Sequence, residues 1–343
     1  MANITVLGAG TFGTALAIMS EKCGNQVNLW SYSMEEAESL NHSRRQKNLP
    51  GVEIPQSICI TGDIACASQS NLVILAVPSF AVRETCRRLQ PVLGPGAILA
   101  CVAKGLESST CLDFSQVMQQ ELPENENVIL SGPSHAEEVA KGYPTTVVAA
   151  SQSRRAAEFV QETLMNPTLR IYVNDDVVGV ELGGALKNII ALSAGICDGL
   201  GLGDNPKAAL MTRGITEIAR LGVAMGGRQE TFAGLAGIGD LIVTCTSMHS
   251  RNRRFGILVG QGVPAQKALE QVGMVVEGYS CCKTAYLLAR EKQVEMPIIT
   301  QAYEILYQGK DPRAALQDLM VRPKRHESEE IWLQETARQQ ETC

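Results

Sequence analysis

A surplus of basic residues is missing. Lys plus Arg number 30 against 36 Asp plus Glu, a formal net charge of -6, so no global positive field exists to hold a nucleic-acid backbone or an anionic membrane surface. Any anion must be met by a local cluster. Long hydrophobic runs are also missing: the longest, 72–77 and 189–196, fall well short of the about 18–20 residues of a spanning helix, so no membrane insertion is expected. The start, Met1-Ala2-Asn3-Ile4-Thr5-Val6-Leu7-Gly8, lacks the basic region that opens a signal peptide and runs straight into a strand pattern, so the chain is expected to stay in the cytoplasm. Cys-x-x-Cys pairs are absent among eleven cysteines, an odd number, and Cys66, Cys86, Cys101 and Cys197 sit inside apolar segments. That pattern predicts reduced thiols and excludes a disulfide framework. The four histidines, His42, His135, His249 and His326, show no metal-ligand spacing, so no metal site is expected.

What is present is ample core. With 343 residues and 45% apolar content, the chain exceeds what one hydrophobic core usually organises. Strand-length apolar runs at 4–7, 27–30, 72–77, 98–102, 128–130, 145–150 and 169–173 alternate with helical patterns such as 13–23, 80–89 and 154–164. Such alternation predicts right-handed crossovers into a mostly parallel sheet. Beyond about residue 175 the strand signal ends and helical patterns follow at 176–197, 206–221, 264–272, 279–291, 297–306 and 312–319. Asn205-Pro206 and Asp311-Pro312 read as polar caps followed by proline at the first helical position. The predicted fold is α/β: an N-terminal Rossmann-like doubly wound sheet (1–180), an all-α substrate domain (181–322) and a charged tail (323–343) expected to be mobile, in which Ile331-Trp332-Leu333 is a possible docking point.

Gly8-Ala9-Gly10-Thr11-Phe12-Gly13 follows the first strand and opens a helix, the context that gives G-x-G-x-x-G its meaning. Gly8 permits the turn, Gly10 admits a pyrophosphate and Gly13 allows helix to pack on strand, while the helix N-terminus offers free N–H groups. At the end of the second strand, where an acidic residue would bind the NAD ribose, the sequence reads Trp30-Ser31-Tyr32-Ser33 with no carboxylate before Glu35. The two serine hydroxyls could bond a 2′-phosphate, and the balance leans to NADP(H) over NAD(H). Arg44 and Arg45 lie a helix away, so the positive partner is unassigned.

The stretch 177–192 is apolar or small almost all round, as in a buried helix, and Lys187 is its anomaly. Gly183 and Gly184 would clear ligand space beside it, and burial would bring its pKa toward neutrality, as a general acid requires. The structural alternative is a lysine that snorkels outward or pairs with Glu181. Lys104, in Ala103-Lys104-Gly105 past a strand's carboxyl end, lies where open α/β sheets bind ligands, although a surface lysine is common there. Ser131-Gly132-Pro133-Ser134-His135-Ala136 is a second such loop. The dense basic cluster Ser250-Arg251-Asn252-Arg253-Arg254 can hold a phosphate through bidentate hydrogen bonds, or can simply be a solvated face. His135 and His249, each isolated in sequence, read as packing or surface residues.

These motifs, with Lys104-Gly105-Leu106-Glu107, Leu182-Gly183-Gly184-Ala185-Leu186-Lys187-Asn188, Ala236-Gly237-Ile238-Gly239-Asp240-Leu241 and Val276-Glu277-Gly278, occur in the order seen in bacterial NAD(P)-dependent sn-glycerol-3-phosphate dehydrogenases, which the chain resembles from about residue 4 to 319. The resemblance implies reduction of dihydroxyacetone phosphate to sn-glycerol 3-phosphate by a cytosolic, dimeric enzyme with a small-molecule substrate and no metal. It makes Lys187 the proton donor, has Lys104 and Asp240 hold the substrate's polar end, and completes the pocket with Gly132, Ser134, Ser250, Arg251 and Asn252. It maps nucleotide contacts onto Thr11, Phe12, Tyr32, Lys104, Ala136, Arg251, Val275 and Glu277. The chain departs from the family pattern at Tyr32, where a basic residue is often near, at His135, more usually aromatic, and at Cys281-Cys282. Two other readings compete: a hydroxy-acid or phosphogluconate-type dehydrogenase with the same glycine loop, and a nucleotide-sensing regulator without turnover.

Overall fold

A computed structural model describes residues 1–324 and Glu327; most of the charged tail, with Ile331-Trp332-Leu333 and His326, lies outside the described residues. The first half runs β1 (Asn3–Leu7), α1 (Thr11–Lys22), β2 (Gln26–Trp30), α2 (Met34–Ser43), β3 (Cys59–Thr61), β4 (Leu72–Leu75), α3 (Val82–Leu89), β5 (Ile98–Cys101), α4 (Phe114–Glu121), β6 (Asn127–Ser131), α5 (Ala136–Ala140), β7 (Thr145–Ala150), α6 (Arg154–Leu164) and β8 (Leu169–Asn174). The sheet order is β3-β2-β1-β4-β5-β6-β7-β8. Its first six strands are parallel in the order typical of dinucleotide-binding sheets, and β7 turns antiparallel to β6 while pairing parallel with β8. Side chains alternate between two buried faces: Ile4, Val6, Leu72 and Ile74 on one, Leu7, Val73, Leu75 and Trp30 on the other. That is why the strands read as continuous apolar runs.

The second half is helical: α7 (Val177–Gly199), α8 (Asp204–Ala224), α9 (Gln229–Phe232), α10 (Asp240–Thr246), α11 (Arg251–Gly260), α12 (Ala265–Val272), α13 (Glu277–Glu291), α14 (Pro297–Gln308) and α15 (Pro312–Met320). Among the described residues α7 alone is long and apolar enough to cross a membrane as a single helix, and it is instead the buried axis of this half. The halves share their cores, since Leu106 packs among the helices while Val180 and Ala236 pack under the sheet.

Several boundaries differ from the sequence reading. The short β3 and the polar helices α2 and α4 lie outside the predicted elements, and the glycine-rich stretch before Asp240 forms a π-helical turn (Leu235–Gly239). The Asp311 side chain does cap α15 ahead of Pro312, but α8 starts at Asp204 after Gly203, which places Pro206 third in its first turn, where a missing N–H is not felt.

Helices α7 and α11 cross at backbone contact. A Cβ on Gly195 would stand 2.1 Å from the Arg253 carbonyl oxygen, and one on Gly256 would stand 2.0 Å from that of Leu192. Neither atom can move without separating the helices. Gly256→Ala is therefore expected to cost about 1–3 kcal/mol through overpacking, read as a lower urea midpoint at unchanged slope. An unchanged midpoint would show that the crossing is looser than this.

Candidate functional site

Every N-terminal residue singled out in sequence lies in a loop or helix start past the carboxyl end of a strand, and the helical half faces that same edge. Gly8 has φ +116, and a Cβ there would strike the Ala76 carbonyl at 2.5 Å; one on Gly13 would strike the Gly8 carbonyl at 1.9 Å. Gly10 differs, because a Cβ there would meet nothing within 4 Å. Gly10 is the N-cap of α1 and no side chain caps that helix, so its first N–H groups face open space suited to a pyrophosphate. Phe12 and Ala136 pack half-buried against the sheet core beside this opening, and Tyr32 stands 77% exposed past β2. These residues fit a dinucleotide.

A second constellation is an ion triad in which Lys187 and Asp240 are buried and Lys104 is half-buried. Lys187 projects from α7 and its Nζ donates to Asp240 Oδ1 and, at 2.7 Å, to Thr244 Oγ1. Lys104, past β5, donates to Asp240 Oδ2 at 2.7 Å and to the Gly132 carbonyl at 2.8 Å, with Ser134 Oγ 3.4 Å away. Thr244 spends its own proton on the Asp240 carbonyl, so its oxygen is left to accept from Lys187. Burial lowers the Lys187 pKa to about 8, opposed by Asp240 and helped by Lys104. Burial raises Asp240, but its two ammonium neighbours prevail and hold it below the ordinary carboxylate range.

The glycines before Lys187 do not clear ligand space, contrary to expectation. Gly183 is filled by the Ala236 carbonyl at 2.7 Å and Gly184 by Ser131 Oγ at 2.6 Å from an added Cβ, so they let α7 press against the sheet edge and the π turn. Glu181 does not pair with Lys187 either; it accepts the Phe114 and Ser115 N–H groups at the start of α4.

The basic cluster divides. Arg253 is bound to Asp198 at 2.7 Å and to the Thr246 carbonyl, and so is structural. Ser250 caps α11 through its oxygen, which leaves its hydroxyl proton uncommitted. Asn252 donates to Asn188 and accepts from the Gly278 N–H, while Asn188 donates to the Lys104 carbonyl at 3.4 Å, so one amide relay joins α13, α11, α7 and the β5 loop. Arg251 is half-buried and makes no side-chain hydrogen bond among the described residues; Glu277 and Glu137 lie near enough to counter the downward pull of burial on its pKa. Glu277, past the half-buried Val275, accepts both the N–H and the hydroxyl of Ser79 in the β4 loop. His135 and His249 meet with ring centroids 5.7 Å apart, and among the described residues His135 Nε2 is buried without a partner. Asn188, Thr244 and Ser79 were not singled out in sequence, because an amide or hydroxyl acquires a role only through partners distant along the chain.

Comparison with known proteins matches residues 3–157 to the N-terminal and 176–317 to the C-terminal model of NAD-dependent glycerol-3-phosphate dehydrogenase. A glycerol-3-phosphate dehydrogenase [NAD(P)+] of Desulfitobacterium hafniense is 54% identical over 97% of this chain and 95% of its own length. One from Clostridium perfringens is 51% identical over 95% and 99%. The crystal structure of glycerol-3-phosphate dehydrogenase from Coxiella burnetii superimposes with a TM-score of 0.90 at 39% identity, over 94% of this chain and 99% of that one.

The triad makes a prediction that needs no ligand. The Lys187 ammonium is expected to titrate near pH 8, followed by NMR of Cε-labelled lysine, and Asp240→Asn is expected to move that midpoint lower by removing the neighbouring anion. A midpoint near the ordinary lysine value in both proteins would contradict the buried geometry.

Proposed function

The chain belongs to the NAD-dependent glycerol-3-phosphate dehydrogenase family, and from that membership we propose a division of labour among the residues of the cleft. The enzyme reduces dihydroxyacetone phosphate to sn-glycerol 3-phosphate with a nicotinamide dinucleotide, a reaction that supplies the backbone of glycerophospholipids. The dinucleotide, when bound, gives or takes the hydride. Lys187 is the acid that protonates the ketone oxygen as negative charge grows there, and the base in the reverse direction. The observation that carries this is the buried Lys187 ammonium, tied to Asp240 and Thr244 and facing a second ammonium on Lys104.

Asp240 orients both ammonium groups, and Lys104 with Gly132 and Ser134 borders the substrate's polar end. Two lysines against one aspartate leave a net positive centre in a chain of net charge -6, which suits a dianionic substrate. The phosphate falls to Arg251, uncommitted among the described residues, with Ser250 offering its free proton and Asn252 fixing the start of α11. Binding energy from that remote group holds the carbonyl in place, so a substrate lacking phosphate loses rate as well as affinity. Gly8, Gly10 and Gly13 with Thr11, Phe12, Tyr32, Ala136, Val275 and Glu277 hold the dinucleotide. The working division is 1–180 for the dinucleotide and 181–322 for acid and phosphate. We also place the enzyme in the cytoplasm, in keeping with ten unpaired cysteines among the described residues, and as a homodimer on the family pattern alone.

The direct test is loss of reduced-nicotinamide absorbance on adding dihydroxyacetone phosphate, with NADPH and NADH side by side. No turnover with either would sink the assignment. Lys187→Ala is expected to lower kcat by about 10²-fold or more with dinucleotide binding retained. In the native protein the reductive rate should fall as pH rises through about 8, where the ammonium loses its proton, and the oxidative rate should rise over the same interval. Matching profiles in both directions would remove Lys187 from proton transfer. Arg251→Ala should raise the KM for the triose phosphate about tenfold or more; an unchanged KM would move the phosphate elsewhere.

A further inference from the structure

The end of β2 has a basic neighbour on α3. That helix carries three arginines with different surroundings. Arg83 is forked onto Glu107, with both contacts at 2.7 Å, and reaches Glu121; Arg87 also pairs with Glu121. Arg88 has no carboxylate partner among the described residues. Its guanidinium carbon lies 5.1 Å from the ring centroid of Trp30 and 5.1 Å from that of Tyr32. Trp30 is locked, since it is 1% exposed and its indole N–H donates to the Gly62 carbonyl at 3.0 Å. Tyr32 stands edge-on to it, with centroids 6.2 Å apart. Two aromatic groups thus hold the guanidinium in place while leaving its donors unspent.

The position is tied to the dinucleotide loop, because the Trp30 carbonyl accepts the Gly8 N–H at 2.9 Å. Of the two serines expected to serve here, Ser31 has no proton left for a phosphate. Ser31 is fully buried and gives its proton to Glu36, and the Ser33 oxygen caps α2 through the Glu36 N–H. The Glu36 carboxylate is thereby tied to the buried Ser31 hydroxyl.

We propose that Arg88, held against Trp30 and Tyr32, reads the 2′-phosphate of the adenine ribose and makes NADP(H) the tighter-binding form of the cofactor. This rests on the dinucleotide-site reading above. A guanidinium pairs with phosphate through two parallel N–H groups, and a partly exposed one already stripped of other partners forms that pair without breaking another.

Calorimetric binding tests it on the whole protein with four probes: NADP⁺, NAD⁺, adenosine 2′,5′-bisphosphate and AMP. Arg88→Ala is expected to weaken NADP⁺ and the bisphosphate by about 10–100-fold and to change NAD⁺ and AMP by less than about threefold. Arg87→Ala, which removes a surface ion pair on the same helix, should leave all four unchanged. Equal losses for phosphorylated and unphosphorylated probes would overturn the proposal, because Arg88 would then serve only the adenine or the pose of Tyr32. So would no loss at all. Failure of every probe to bind the native protein would instead overturn the dinucleotide site itself.

Discussion

A carboxylate 1% exposed between two lysine ammonium groups is the interaction on which the site depends. Asp240 takes one hydrogen bond from the β5 loop and another from α7, so a single side chain fixes the sheet edge, the axial helix and α10 against one another. The dehydration penalty of three charges is borne only because each has a partner, and removing Asp240 would leave two like charges face to face. The amide relay through Asn188 and Asn252, and the hold of Glu277 on Ser79, extend the same tie to α11, α13 and the β4 loop. The cleft is thus assembled from both halves and belongs to neither alone.

Much of this was legible in the sequence where the signal was local. The glycine loop is defined by backbone sterics within six residues, and Gly8 and Gly13 prove as tightly confined as their spacing implied. Lys187 stood out because a charge in an otherwise apolar helix must find a partner, although that partner, Asp240, lies 53 residues on. The central strands were visible because both of their faces are buried, whereas the three-residue β3 is too short to give a pattern. Helices α2 and α4 were not, since most of their surface is polar and their definition comes from caps at Ser33 and Asp113. The role of Gly183 and Gly184 was misjudged for a related reason: small residues signal close approach without saying what approaches. In this protein it is backbone and Ser131.

Arg88 belongs to the same class of hidden features. In sequence it is one of three arginines on an amphipathic helix, and only the pairing of Arg83 and Arg87 with Glu107 and Glu121 distinguishes it. The basic cluster at α11 divides likewise, with Arg253 spent on Asp198 while Arg251 stays available. Charge counts along a chain give the supply of cations; the ion pairs decide which of them remain for ligands.

Sharing one carboxylate between two lysines has a consequence for turnover. When Lys187 releases its proton, Asp240 keeps Lys104 as counterion, so the interior passes from a surplus of one positive charge to exact balance and never to a naked anion. Lys104 thus keeps the shared carboxylate paired whichever charge its neighbour carries.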